Sequence, residues 1–145
     1  MSYLDILETA QPELGEKIQE VRRGLATLDK FKARYKLEVP PVRVTTMPND
    51  AIGGYYAPHK KELKVYLHSA FGPYYVLLHE AGHAIADKYL DGKMPAGETQ
   101  VSEKDYPDSL CEREAETLRI FIGCEETLKE LNPSRYEYLK SFFPG

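Results

Sequence analysis

Residues 76–90 read VLLHEAGHAIADKYL, and how this stretch is read decides the fold. Val76, Leu77 and Leu78 lead into HEAGH, and Ala84, Ile85 and Ala86 follow it, so the segment predicts a buried helix. Pro73 suits the first helical position, which sets the expected span at about 73–90. Two of the four histidines in the chain, His79 and His83, sit here with Glu80 between them. Polar groups buried on such a helix need partners, because an unpaired buried charge is costly. Gly82 costs a helix about 1 kcal/mol relative to alanine, which points to close approach by a neighbouring backbone.

Working upstream, ELKVYLH (62–68) alternates, with Leu63, Val65 and Leu67 on one face and Lys64, Tyr66 and His68 on the other. Together with VRVTT (42–46) and YYAP (55–58) it predicts a small sheet of two or three strands with one buried face. Before Val39-Pro40-Pro41, Leu14, Ile18, Val21, Leu25, Leu28 and Phe31 recur at helical spacing, giving an amphipathic helix over 12–36. Its stripe is narrow and heptad-like. It is expected to pack on the rest of the domain, with a homodimer through residues 12–36 as the alternative. The opening YLDILE is expected to make only a short turn.

Downstream, the polar stretch from Asp91 to Pro107 is long enough for a functional loop or lid. Asp108 or Ser109 can cap a helix running to about Leu131, and a short last helix follows over 134–142. The tail SFFPG is expected to dock on the core through Phe142 and Phe143, the alternative being an inhibitory fold into a cleft. The order gives an α+β chain of one domain, 1–145, with its core in 42–131.

A length of 145 residues and 42% apolar composition suit a single globular domain. A net charge of −4 argues against nucleic acid as partner. The basic runs LDKFKARYK (28–36) and PHKKELK (58–64) read as solvated faces. No apolar run approaches bilayer length and no signal core opens the chain, so no membrane association is expected and the expected location is cytoplasmic. Cys111 and Cys124, placed on one predicted helix, lie too far apart for a disulfide.

His79 and His83 are one helical turn apart, so both imidazoles leave one face and can grip one ion. Glu80 lies one step round, where it reaches water on the metal rather than the metal itself. Zn2+ with neutral nitrogen ligands and an open position brings that water's pKa toward neutrality. A carboxylate beside it can take the proton and later return it to a leaving amine.

Such an ion needs a third protein ligand. Asp87 lies about 12 Å along the helix from His79, which suits an outer or surface role. His59 and His68 remain open on geometry alone. CEREAETL (111–118) is the stronger source: Glu112 and Glu116 are one turn apart, and small Ala115 lets two helices approach. Glu112 could then reach the ion, and Glu116 could orient a histidine through its far ring nitrogen. The competing reading makes Glu112, Glu114 and Glu116 a charged solvent face.

With VLLHEAGHA at 76–84 and E-x-x-A-E at 112–116, the chain resembles the gluzincin metallopeptidases, especially the minimal ImmA/IrrE-like type. The resemblance covers about residues 42–125. It implies a minimal zincin-like fold, a small twisted sheet over the zinc helix. It implies Zn2+ held by His79, His83 and Glu112, with Glu80 as general base and acid. Relatives more often carry aspartate or asparagine at the position of Glu116. An edge strand, from Gly54–Pro58 or Lys64–His68, is expected to pair with an extended peptide or protein substrate. Tyr106, His68, Tyr55 and Tyr56 are candidate donors to an oxyanion. The expected activity is zinc-dependent peptide-bond hydrolysis. The alternative is a zinc-binding regulatory or peptide-binding module with a latent site.

Overall fold

In the computed structural model, residues 2–105 and 108–144 are described. Among them the chain is α+β, with six α-helices and one three-stranded mixed sheet. The opening residues form a helix, α1 (Tyr3–Ala10), rather than a turn. Ser2 and Asp5 close a capping box that satisfies its first N–H groups, a local device the apolar pattern did not disclose. A 3-10 turn at Pro12–Leu14 leads into α2 (Gly15–Tyr35). The α2 stripe is consumed inside the chain: Ile18 and Val21 are fully buried, and Leu28 and Phe31 nearly so. Gly24 lets Leu77 of the next long helix come into contact.

The strands are β1 (Val42–Thr45), β2 (Gly54–Ala57) and β3 (Glu62–Tyr66), in the order β1-β3-β2. β1 runs parallel to β3, with Val44 opposite Val65, and β2 runs antiparallel, with Tyr56 opposite Leu63. β3 therefore has both sides paired, so Lys64–His68 supplies no free edge. The face expected to be buried is buried, with Leu63, Val65 and Leu67 almost fully enclosed, but the edge role offered to Lys64–His68 is not available. The free edge next to the helices belongs to β2. Two glycines make room for it: a Cβ on Gly53 would sit 2.6 Å from Val76, and one on Gly54 would sit 2.3 Å from the Lys64 carbonyl.

Helix α3 (Pro73–Tyr89) crosses under this sheet. Glu20 of α2 reaches its N-terminus and accepts from the Tyr74 N–H at 3.3 Å. Helices α4 (Leu110–Gly123), α5 (Glu125–Leu131) and α6 (Pro133–Phe142) complete the fold. The single helix expected up to Leu131 is broken at Cys124, whose extended backbone ends α4 and begins α5. Cys111 and Cys124 are free and exposed.

The long connection between α3 and α4 is pinned rather than loose. Fully buried Asn132 donates to the Ala96 and Thr99 carbonyls at 3.0 and 2.6 Å while capping α6. Buried Arg135 donates to the Ala96 carbonyl, to Thr117 and, at 2.6 Å, to the buried carboxylate of Asp105. At the C-terminus Phe143 is buried against Phe31, Tyr35 and Phe121, so the tail docks on the core. No helix among the described residues is long and apolar enough to cross a membrane.

Candidate metal centre

α3 and α4 cross with unusual intimacy. A Cβ on Gly82 would lie 2.6 Å from the Ala115 carbonyl oxygen and 3.1 Å from its Cα. Only glycine on α3 permits this approach to the α4 backbone at Ala115. The crossing lies between His79 and His83 on one helix and between Glu112 and Glu116 on the other. It brings all four side chains together.

The Glu112 carboxylate straddles the two imidazoles. One oxygen is 3.2 Å from His79 Nε2 and the other 3.1 Å from His83 Nε2. Ligand atoms of the three residues all fall within 4.8 Å of one another. A tetrahedral zinc with bonds of about 2.0–2.1 Å places its ligand atoms about 3.3 Å apart. The two imidazole–carboxylate distances match that spacing, and the three side chains would have to draw together from within 4.8 Å to hold such an ion. Burial and the nearby charge of His79 push the His83 pKa down, which favours the neutral imidazole that binds metal.

His79 presents its other nitrogen, Nδ1, to Glu116 at 2.5 Å. This bond leaves Nε2 directed at Glu112. Glu116 is fully buried and surrounded by donors: Arg119 Nε at 3.0 Å, the Ser102 hydroxyl at 2.7 Å and the Tyr75 hydroxyl at 3.1 Å. Burial alone would raise its pKa, but hydrogen bonds from His79, Arg119 and Ser102 outweigh it and bring the carboxyl down to about 2. Glu116 is therefore a fixed anion that sets ring orientation, as an imidazole ligand requires. Glu114 is also buried, so the carboxylates of α4 are not a solvent face.

Glu80 stands beside the cluster, half-buried, in a cleft of about 860 Å³ lined by β2, α3 and the start of α4. Burial pushes its carboxyl up, opposed by the charge of His79, reinforced by that of Glu112, and opposed again by Lys104 and by the Tyr56 backbone N–H. That N–H lies on the free side of β2, because the alternate ladder position is taken by the Gly53–Tyr66 bond.

Several expected residues lie elsewhere. His59 and His68 are exposed and outside the cleft, and among the described residues Glu112 is the side chain grouped with His79 and His83 that could complete a metal site. Asp87 lines the cleft rim and accepts from the Tyr56 hydroxyl at 2.9 Å, so that hydroxyl is already engaged away from the histidines. Tyr55 lies against Tyr66 and Lys64, although it borders the cleft. Tyr106 lies outside the described residues.

Four contributors were missed. Tyr75 stacks on His79 at 5.8 Å, and Arg119 lies 4.5 Å above the Tyr75 ring. Their positions, one turn before His79 and three residues after Glu116, were available as a signal. Ser102 and Lys104 come from the pinned loop, which carries no periodic pattern to place them. Comparison with known protein families, with curated proteins and with solved structures finds no match to this chain.

Proposed function

We propose that the chain is a zinc-dependent metallopeptidase with a minimal zincin-like arrangement of sheet, metal helix and supporting helix. The observation that carries this reading is the convergence of His79 Nε2, His83 Nε2 and a Glu112 oxygen beside a half-buried Glu80 in an open cleft. A purely structural cluster would have no use for Glu80 in the cleft wall or for a free strand edge opposite it.

His79, His83 and Glu112 would hold the ion, which supplies Lewis acidity to a water and to a substrate carbonyl. Glu80 is the group that moves protons. Its partly buried carboxylate takes a proton from the attacking water and returns it to the nitrogen that leaves. Its raised pKa suits both halves of that task. The β2 edge, from Gly54 to Ala57, offers backbone groups to an extended peptide, so that main-chain pairing would hold the scissile bond opposite Glu80. Glu116 and Ser102 lie outside the cleft lining and keep His79 in place, and Tyr75, which borders the cleft, donates to Glu116 and stacks on the His79 ring.

The test is hydrolysis of an unfolded protein such as reduced casein by zinc-loaded chain. Glu80→Gln, with its zinc content checked, should lose about 10²–10⁴-fold in rate. Equal activity of the two proteins would refute the assignment of Glu80. Zinc uptake with no hydrolysis of any unfolded or peptide substrate would favour a binding module with a latent site.

A further inference from the structure

Beyond the metal cluster the cleft continues toward the C-terminal end of α3, and its character changes. Ala86 and Leu90 of that end, with Leu110 at the start of α4, give it apolar walls. Gly92, at φ +75°, turns the chain there without adding a side chain. Glu114, only 7% exposed, contributes to the lining of this recess, and exposed Asp87 stands on the rim.

Glu114 has no evident structural employment. Its Oε2 is buried without a hydrogen-bond partner. Neighbouring Arg113 is directed to the α3–α4 loop, its Nη1 to the Met94 carbonyl at 3.4 Å and its Nε 4.0 Å from Asp105. Burial and the charge of Asp91 both disfavour the Glu114 carboxylate, and the charge of Arg113 offsets them only in part. A buried carboxylate oxygen without a donor costs stability, and a fold keeps such a group only where something else repays it. Glu116, two residues on, shows the contrast: every face of that carboxylate meets a donor.

We infer that this end of the cleft is a specificity pocket for a lysine or arginine side chain of the bound peptide, with Glu114 taking the cationic head. The long aliphatic stem of either residue suits walls of Ala86, Leu90 and Leu110, and its charged end meets an acid at the base. Asp87 adds attraction at the mouth. The other end of the cleft carries Lys104, lying 5.3 Å above the Phe71 ring. The cleft is thus acidic at one end and basic at the other, with the metal residues between, and a bound peptide would be oriented by charge. Because the occupant is a peptide only if the site is a peptidase or peptide-binding site, the pocket's role rests on that reading.

The test measures binding and cleavage separately. Fluorescein-labelled decapeptides of alanine and serine carry one lysine, moved through every position, each matched by a norleucine peptide. Affinities are measured by anisotropy against zinc-loaded full-length Glu80→Gln, with and without a second change, Glu114→Gln, which keeps shape and removes charge. At one position lysine should bind about tenfold tighter than norleucine, the scale of one charge-assisted hydrogen bond. Glu114→Gln should shrink that ratio to about twofold or less, leaving only the screened charges at the rim. Equal binding of lysine and norleucine peptides everywhere, a ratio that survives Glu114→Gln, or no binding by any peptide overturns the pocket. Cleavage of the same peptides by the wild-type chain tests the enzyme reading on its own. A Glu114-dependent preference without cleavage keeps the pocket and sinks the peptidase, and cleavage without preference does the reverse.

Discussion

Gly82 offers the sharpest test of how the fold builds the site. Replacing it by alanine should, on propensity alone, stabilise α3 by about 1 kcal/mol. The structure predicts the opposite. The added Cβ would lie 2.6 Å from the Ala115 carbonyl oxygen and 3.3 Å from its carbonyl carbon, and both belong to helix backbone that cannot rotate away. Ordinary contact needs about 3.4–4 Å, so α4 must retreat by roughly 0.8–1.4 Å. Overpacking of that size costs about 1–3 kcal/mol, which exceeds the propensity gain. Glu112 rides on the same helix one turn before Ala115, and its carboxylate now sits 3.1–3.2 Å from both imidazoles. Metal sites tolerate departures of about 0.2 Å, so the shift should also weaken zinc binding, by about 10–100-fold. The assays are urea unfolding of the metal-free protein and competition for zinc with a chromophoric chelator. A Gly82→Ala protein that is more stable than wild type and binds zinc equally would refute the reasoning.

Glu116→Gln keeps the shape but not the charge that holds His79 Nδ1, and it should lower zinc affinity about 10–100-fold in the same chelator competition. Arg135→Met removes the closer cation of the buried Asp105 carboxylate, leaving Arg113 at 4.0 Å, and should cost about 2–4 kcal/mol in urea. Hydrogen exchange of residues 95–105 should rise in that variant, and unchanged exchange would mean the loop is held by other contacts. Phe143→Ala removes a ring packed among Phe31, Tyr35 and Phe121, with an expected loss of about 3–5 kcal/mol and no release of inhibition in peptide cleavage. A faster enzyme after that change would mean the tail visits the cleft.

Much of the fold was legible because each element carries its own period. The 3.6-residue stripe from Leu14 to Phe31 and the two-residue alternation of Leu63, Val65 and Leu67 placed α2 and β3 correctly. The spacing within HEAGH set His79 and His83 on one face, and Gly82 with Ala115 announced the helix crossing. Strand order was not legible, since alternation reports which face is buried and not which side is paired; hence β3 could pass for an edge. Nor was the break at Cys124, because the pattern of apolar residues continues through it. Ser102 and Lys104 reach the site only because buried Asn132 and Arg135 fix a loop that has no period at all. Glu114 alone had no role in the sequence beyond the competing reading of a charged solvent face, and its burial shows only in the packed structure.

The most direct measurement is zinc K-edge X-ray absorption, with metal content, on the purified chain and on His83→Ala and Glu112→Ala. The account predicts one zinc per chain, with nitrogen and oxygen donors at about 2.0–2.2 Å consistent with two imidazoles, one carboxylate and a solvent oxygen. Each substitution should strip the matching donor and most of the metal. Wild-type protein that holds no stoichiometric zinc, or zinc whose surroundings are the same in both variants, would contradict the claim that His79, His83 and Glu112 form its site.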